Sequence, residues 1–435
     1  MLLKTYSYPD LSTAEINRLI LRNADADNSI TEQVEQIISM VKSRGDEALF
    51  ELAERFDGVK LDQLFIGQEE IIGIASTIGT EQKAAIDTAF KNISAFHRSQ
   101  FQQEKPVETM PGVTCWREAR AIERVGLYIP GGSAVLPSTF LMLGIPARIA
   151  GCQDIVVCSP PQKDGRVNVY LAYVAVLLQI NRIFLVGGAQ AVAAMAYGTA
   201  SIAKTDKIFG PGNQYVTKAK TIIQSSTQTA IDMPAGPSEV LVIADEQANI
   251  EFVAADLLAQ AEHGPDSQAI LVATSQSIID QTNLALERQM QVLPRSKIAY
   301  QAIHNSYAVL TTDLNEAIAF SNLYAPEHLI LATRDWKALI PAVKNAGSVF
   351  LGNLTPESAG DYASGTNHTL PTSAYARSFS GVSLDSFIKK ITFQHISPEG
   401  IQHIGHTVEV LAELEGLQGH KNAMTLRMNQ EDKPA

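Results

Sequence analysis

Three times between Val125 and Asn213 a short apolar run leads into a glycine turn and then into a helix-forming stretch. Val125-Gly-Leu-Tyr-Ile129 enters Pro130-Gly-Gly-Ser133. Arg182-Ile-Phe-Leu-Val186 enters Gly187-Gly-Ala-Gln190 and the alanine-rich stretch from Ala191 to Tyr197, and Lys207-Ile-Phe209 enters Gly210-Pro-Gly-Asn213. Strands that alternate with helices in this way run parallel, because each helix must carry the chain back before the next strand starts. The expected fold is therefore α/β with parallel sheets. Residues 154–158, 239–243, 269–273, 328–332 and 347–351 are further apolar runs of strand length. The alternation before and after residue 240 fits two similar α/β halves, and 435 residues are more than one compact core usually holds.

Helices are expected around this frame. Ser29-Ile-Thr-Glu32 has the form of a capping box, and Val34, Ile37, Ile38 and Val41 follow on one face. Residues 46–56 and 81–97 read as further helices, and residues 1–25 as a short arm carrying one helix over 12–23. Beyond Phe379 the chain reads as helical again, with Ile401, Ile404, Val408 and Leu411 in one stripe, and has the look of an appendage.

Composition narrows the function. A formal charge of −12 without any basic run argues against nucleic acid or a membrane surface as the main partner. Three cysteines cannot form a full disulfide framework, and neither a signal core nor a spanning apolar run is evident, so a cytoplasmic protein is expected.

Several polar residues stand where chemistry is possible. Asn249 is positioned to cap a helix that Gly264 and Pro265 stop, with Phe252, Ala255, Leu257 and Leu258 as its apolar stripe. Gln260 and His263, three apart in its last turn, share a face and can converge on one atom, as half of a metal site would require. Pro326-Glu327-His328 opens a strand and pairs a carboxylate with an imidazole, the combination used for proton transfer near neutral pH. Ser358 to His368 forms a polar loop after a strand, where α/β sites gather, with Asp361 as a hard oxygen ligand and His368 within reach of a substrate. The glycine turns suit phosphate groups, although neither strict nucleotide fingerprint is present. No cysteine lies beside an activating histidine, so a thiohemiacetal route for aldehyde oxidation is not favoured.

Taken in order, these motifs resemble those of the histidinol dehydrogenase family. The matching stretches also include Asp232-Met-Pro-Ala-Gly-Pro-Ser-Glu, Gln260-Ala-Glu-His-Gly-Pro-Asp-Ser, Ala325-Pro-Glu-His-Leu and His420-Lys-Asn-Ala. Ala325 departs from the glycine that many relatives carry. The resemblance implies oxidation of L-histidinol through L-histidinal to L-histidine with two NAD⁺, and one zinc ion per subunit held by Gln260, His263, Asp361 and His420. It further implies His328 as general base, Glu327 as the group that activates water, and Tyr128, Gln190 and Asn213 as cofactor contacts. Ser238 and Glu415, with His328 and the zinc ligands, would contact the substrate. The implied architecture is two incomplete Rossmann-like domains, one from residues 26–128 plus 239–320 and one from 129–238 plus 321–382. Small helical N- and C-terminal segments complete it, and the tail, 383–435, would finish the site of a partner in a homodimer. Two other readings remain open at this point: a zinc hydrolase using Glu327 and His328, and a protein that merely binds zinc or a nucleotide.

Overall fold

A computed structural model of the chain describes residues 2–22, 28–131, 135–234 and 236–429. Asn23, Gly132, Ser133 and Ala235, which belong to stretches singled out above, lie outside the described residues, as do 24–25 of the arm and 430–435 of the tail. The chain divides into two compact units, Met1–Gln100 with Ile122–Phe387, and Phe101–Ala121 with Ile388–Ala435.

The larger unit is α/β and contains two six-stranded sheets. In the first, Lys4–Ser7, Tyr307–Leu310, Gln268–Ala273, Glu239–Ala244, His328–Ala332 and Ser348–Leu351 lie side by side in that order, all parallel. Both faces are covered, as parallel sheets require. Val240, Val242 and Ala244 pack with Val253, Ala254, Leu257 and Leu258, while Leu241 and Ile243 on the opposite face pack with Ile318, Phe320 and Tyr324. In the second sheet the order is Phe65–Gly67, Arg182–Leu185, Asp154–Ser159, Arg124–Tyr128, Lys207–Phe209 and Ala230–Ile231. Only its edge strand Phe65–Gly67 is antiparallel. The helix Asn28–Arg44 buries Ile30, Val34, Ile37, Ile38 and Val41 against this sheet.

The strand pairing shows how the chain is shared between the two sheets. Residues 124–128 belong with 154–231, and residues 328–351 belong with 239–310, so each sheet is drawn almost wholly from one contiguous half of the chain. The arm carries a strand as well as a helix: Lys4–Ser7 is a strand of the first sheet, followed by a helix Thr13–Ile20 whose cap, Ser12, forms a reciprocal box with Glu15.

The smaller unit is not purely helical. Val107–Met110, Val113–Ala121 and Ile388–Ile396 make an antiparallel three-stranded sheet, and the helices Pro398–Leu414 and Gln418–Met428 follow. Polar residues such as Lys389, Lys390, Thr392 and Gln394 dominate its last strand, which is largely solvent-facing. Such a strand lacks the apolar alternation that marks half-buried strands in a sequence.

Candidate active site

The polar residues converge at the amino ends of the first sheet's strands. Glu239 and His328 are the first residues of their strands, which pair directly, and Glu327 stands one residue before. The helix after Glu239–Ala244 runs back along the sheet, capped by Asn249 as expected, and ends in Gln260 and Ala261. Its buried stripe is Val253, Ala254, Leu257 and Leu258, whereas Phe252 and Ala255 face solvent, so the expected stripe was rotated by one residue. Asp361 reaches the same end because the short helix Glu357–Tyr362 turns back after its strand. The expectation that this loop works at the carboxyl end of the sheet is thus corrected.

Within this cluster His328 is buried. Its Nδ1 lies 3.1 Å from the carbonyl oxygen of Glu239, and 3.7 Å from carboxylate oxygens of both Glu327 and Glu357. A carbonyl only accepts, so Nδ1 carries a hydrogen, and it is Nε2 that holds the lone pair whenever the ring is unprotonated. Nε2 has no hydrogen-bond partner and lies 3.4 Å from Asp361 Oδ1. Glu327 Oε2 accepts from the backbone N–H of Glu239 at 2.9 Å. Burial pushes the carboxyls of Glu327 and Glu357 up to about 8. Burial opposes a charge on His328, but Glu357, Glu327 and Asp361 outweigh it and hold the ring well above its ordinary pKa.

Ring and carboxylate atoms of His263, Glu357 and Asp361 lie within 4.8 Å of one another, a spacing that could hold a metal ion. His263 is at the rim; crowding by protein atoms lowers its pKa and favours the neutral form that ligates metal. Gln260, one turn earlier, is fully buried, and neither its Oε1 nor its Nε2 has a partner. A buried amide without partners costs about 1–3 kcal/mol, so both atoms point to something bound there. His368 is fixed by Thr139 Oγ1 and the carbonyl of Asp361, each at 2.9 Å. Glu357 was not singled out in the sequence, although Glu357 and Asp361 are four apart and share a helix face. Ser238 is half-buried beside Glu239, and its carbonyl accepts from Gln268 N–H.

Ala325 delivers Pro326 and Glu327 to the head of the strand in a left-handed turn, with φ of 52°. That conformation costs a residue with a Cβ about 1–2 kcal/mol.

The glycine turns occupy the carboxyl ends of the second sheet, where its strand order reverses between Arg124–Tyr128 and Lys207–Phe209. Crevices of this kind take nucleotides. The Tyr128 hydroxyl accepts from Gly188 N–H at 3.2 Å, and Gln190 is buried in the helix Gly188–Tyr197. Gly210, with φ of 131°, passes so close to the Tyr128 carbonyl that no side chain fits. Asn213 Oδ1 caps the helix Gln214–Ser226, leaving its amide N–H groups free to donate. Glu415 and His420 are exposed in the smaller unit, at the end of Pro398–Leu414 and in Gln418–Met428. Cys152 and Cys158 are buried and burial raises both thiols, Cys152 to about 11, so neither supplies a thiolate.

Residues 20–428 match the model of the histidinol dehydrogenase family. The chain belongs to that family. Among curated relatives, the histidinol dehydrogenase of Bacteroides thetaiotaomicron is 53% identical over 428 residues, covering 98% of this chain and 99% of that one. That of Vibrio cholerae is 50% identical, covering 98% of each. A solved histidinol dehydrogenase from Elizabethkingia anophelis superposes with a TM-score of 0.95 at 51% identity, over 98% of both chains. Histidinol dehydrogenases are oxidoreductases, and this chain is an NAD-dependent enzyme of that class. Among the described residues, no helix is long and apolar enough to cross a membrane.

Proposed function

We propose that the chain oxidises L-histidinol through L-histidinal to L-histidine, reducing two NAD⁺, with one zinc ion at the His263 cluster. The observation that carries this reading is a buried imidazole whose Nε2 lies 3.4 Å from Asp361, itself clustered with His263, together with the unpartnered amide of Gln260 one turn before His263. A donor set of imidazole, carboxylate and amide oxygen fits zinc in an expanded shell. Gln260, His263 and Asp361 would hold it together with His420. Zinc, when bound, grips and orients the substrate's nitrogen groups. The dinucleotide would lie against Tyr128, Gln190 and Asn213, and when bound it accepts one hydride in each half-reaction.

The protein's own groups move the protons. His328 Nε2 takes the hydroxyl proton of the alcohol as hydride leaves its carbon, giving the aldehyde. Glu327 then takes a proton from water as the water oxygen adds to the aldehyde carbon, while protonated His328 returns its proton to the aldehyde oxygen, giving the gem-diol and a free His328 Nε2. His328 takes a diol proton as the second hydride leaves, and the acid results. Ser238 and Glu415 would hold the substrate. No thiol is needed, in keeping with the two inert buried cysteines.

The test is NADH formation from L-histidinol and NAD⁺ by the purified full-length protein. Two NADH per histidinol are expected. One would mean that oxidation stops at the aldehyde and that Glu327 is misassigned; none, with zinc bound, would favour the hydrolase reading.

A shared active site follows if His420 and Glu415 serve a partner subunit in a homodimer. Leu411, Leu414 and Leu426 in the tail are 54%, 78% and 72% exposed, an apolar surface that a second copy would cover. H263A and H420A should each be inactive alone, and co-refolding the two variants should restore part of the activity through hybrid dimers carrying one intact site. No recovery would count against sharing. A cytoplasmic location fits the unpaired cysteines and is checked by cell fractionation.

A further inference from the structure

Glu239 touches both proton-transfer residues without using its side chain. Its carbonyl accepts from His328 Nδ1 at 3.1 Å, and its N–H donates to Glu327 Oε2 at 2.9 Å. The side chain, almost wholly buried, points the other way into a clamp. Arg22 Nε donates to Oε1 at 2.8 Å and Arg22 Nη2 to Oε2 at 2.9 Å, a two-pronged pairing, while Ser373 N–H also donates to Oε1 at 2.9 Å. Arg22 is itself fixed. Its Nη1 donates to the carbonyl of Ile20 at 2.8 Å, and its guanidinium lies 3.7 Å from the Tyr324 ring centroid. Tyr324 in turn donates to Gln268 Oε1 at 2.6 Å.

We infer that Arg22 is a positioning residue for catalysis, acting through Glu239 to set the place of Glu327 and His328. The inference rests on the roles proposed above for those two residues. The guanidinium fork engages two carboxylate oxygens at once, so it fixes the orientation of the Glu239 side chain as well as its charge. Glu239 opens its strand, tied on its N-terminal side to Gln268 through the Ser238 carbonyl, and the side-chain clamp adds a second restraint that fixes its orientation. A shift of Glu239 by a fraction of an ångström would move the partner of His328 and the partner of Glu327 together. Misplacement of about 1 Å can cost roughly 10²-fold in rate without touching the reacting groups.

The experiment compares R22K, R22Q and E327Q with the parent as full-length, zinc-loaded proteins. Lysine keeps the buried charge but loses the fork. R22K is therefore expected to lower kcat for NADH formation roughly 10–100-fold, with KM for histidinol and zinc content unchanged and melting still cooperative. R22Q should lose more. A parental kcat in R22K would overturn the inference, since a charge alone would then suffice; so would loss of kcat that merely tracks the fraction folded. Should R22Q fail to fold, R22K decides the matter alone. E327Q separates the two levels of the argument: full two-step activity there would remove the proposed role of Glu327, whatever Arg22 does.

Discussion

Replacing His328 by asparagine should lower kcat for NADH formation from histidinol by about 10²–10⁴-fold, the usual contribution of one placed base. Asparagine can still donate to the Glu239 carbonyl, the contact His328 Nδ1 makes at 3.1 Å, but offers nothing in place of the free Nε2. The loss should be equal whether histidinol or histidinal is supplied, because the same nitrogen takes a proton in both oxidations. A residual rate within about tenfold of the parent would remove His328 from that role. The pH profile gives a second check. Glu357, Glu327 and Asp361 raise the pKa of His328 against the opposing effect of burial, and a base works only when unprotonated. kcat/KM should therefore climb with pH as His328 sheds its proton, and H328N should flatten that limb.

Removing metal should abolish activity before it unfolds the protein. The candidate ligands stand at strand and helix ends, and the apolar layers on either face of the first sheet do not depend on them. A structural zinc site, by contrast, should unfold on chelation. The comparison is a thermal melt and an NADH assay on one chelator-treated sample, then the same after zinc is returned. H263A and D361A should fall well short of one zinc per subunit by elemental analysis. E357Q addresses a question raised by the structure alone: a full zinc content would make Glu357 a neighbour of the metal, and a large loss would make it a ligand. Zinc should also bind more tightly as pH rises, because the ligands must shed protons to bind it.

The legibility of the sequence differed from part to part for physical reasons. Apolar runs ending in glycine turns signalled the second sheet clearly, since strands buried on both faces leave unbroken apolar stretches. The pairing order was not legible: nothing local tells residues 328–332 that their neighbour is 239–244. The antiparallel sheet of the smaller unit escaped because its strand Ile388–Ile396 is largely wet. In the site, Gln260, His263, Glu327, His328 and Asp361 were marked by motif, and the structure brings His263, His328 and Asp361 into one cluster with Glu327. Glu357 carried a weak helical-spacing signal. Arg22 carried none, since its only distinction is a partner 217 residues away.

The edge strand Lys4–Ser7 has a consequence for the order of events during synthesis. Its partner, Tyr307–Leu310, is made about 300 residues later, which at typical elongation rates is about 15–60 s. Leu2 and Leu3 wait equally long for the Asn283 side chain that receives their N–H groups. Throughout that interval the chain's first segment has no native neighbour in its sheet. A nascent polypeptide therefore cannot close this sheet in the order in which it leaves the ribosome.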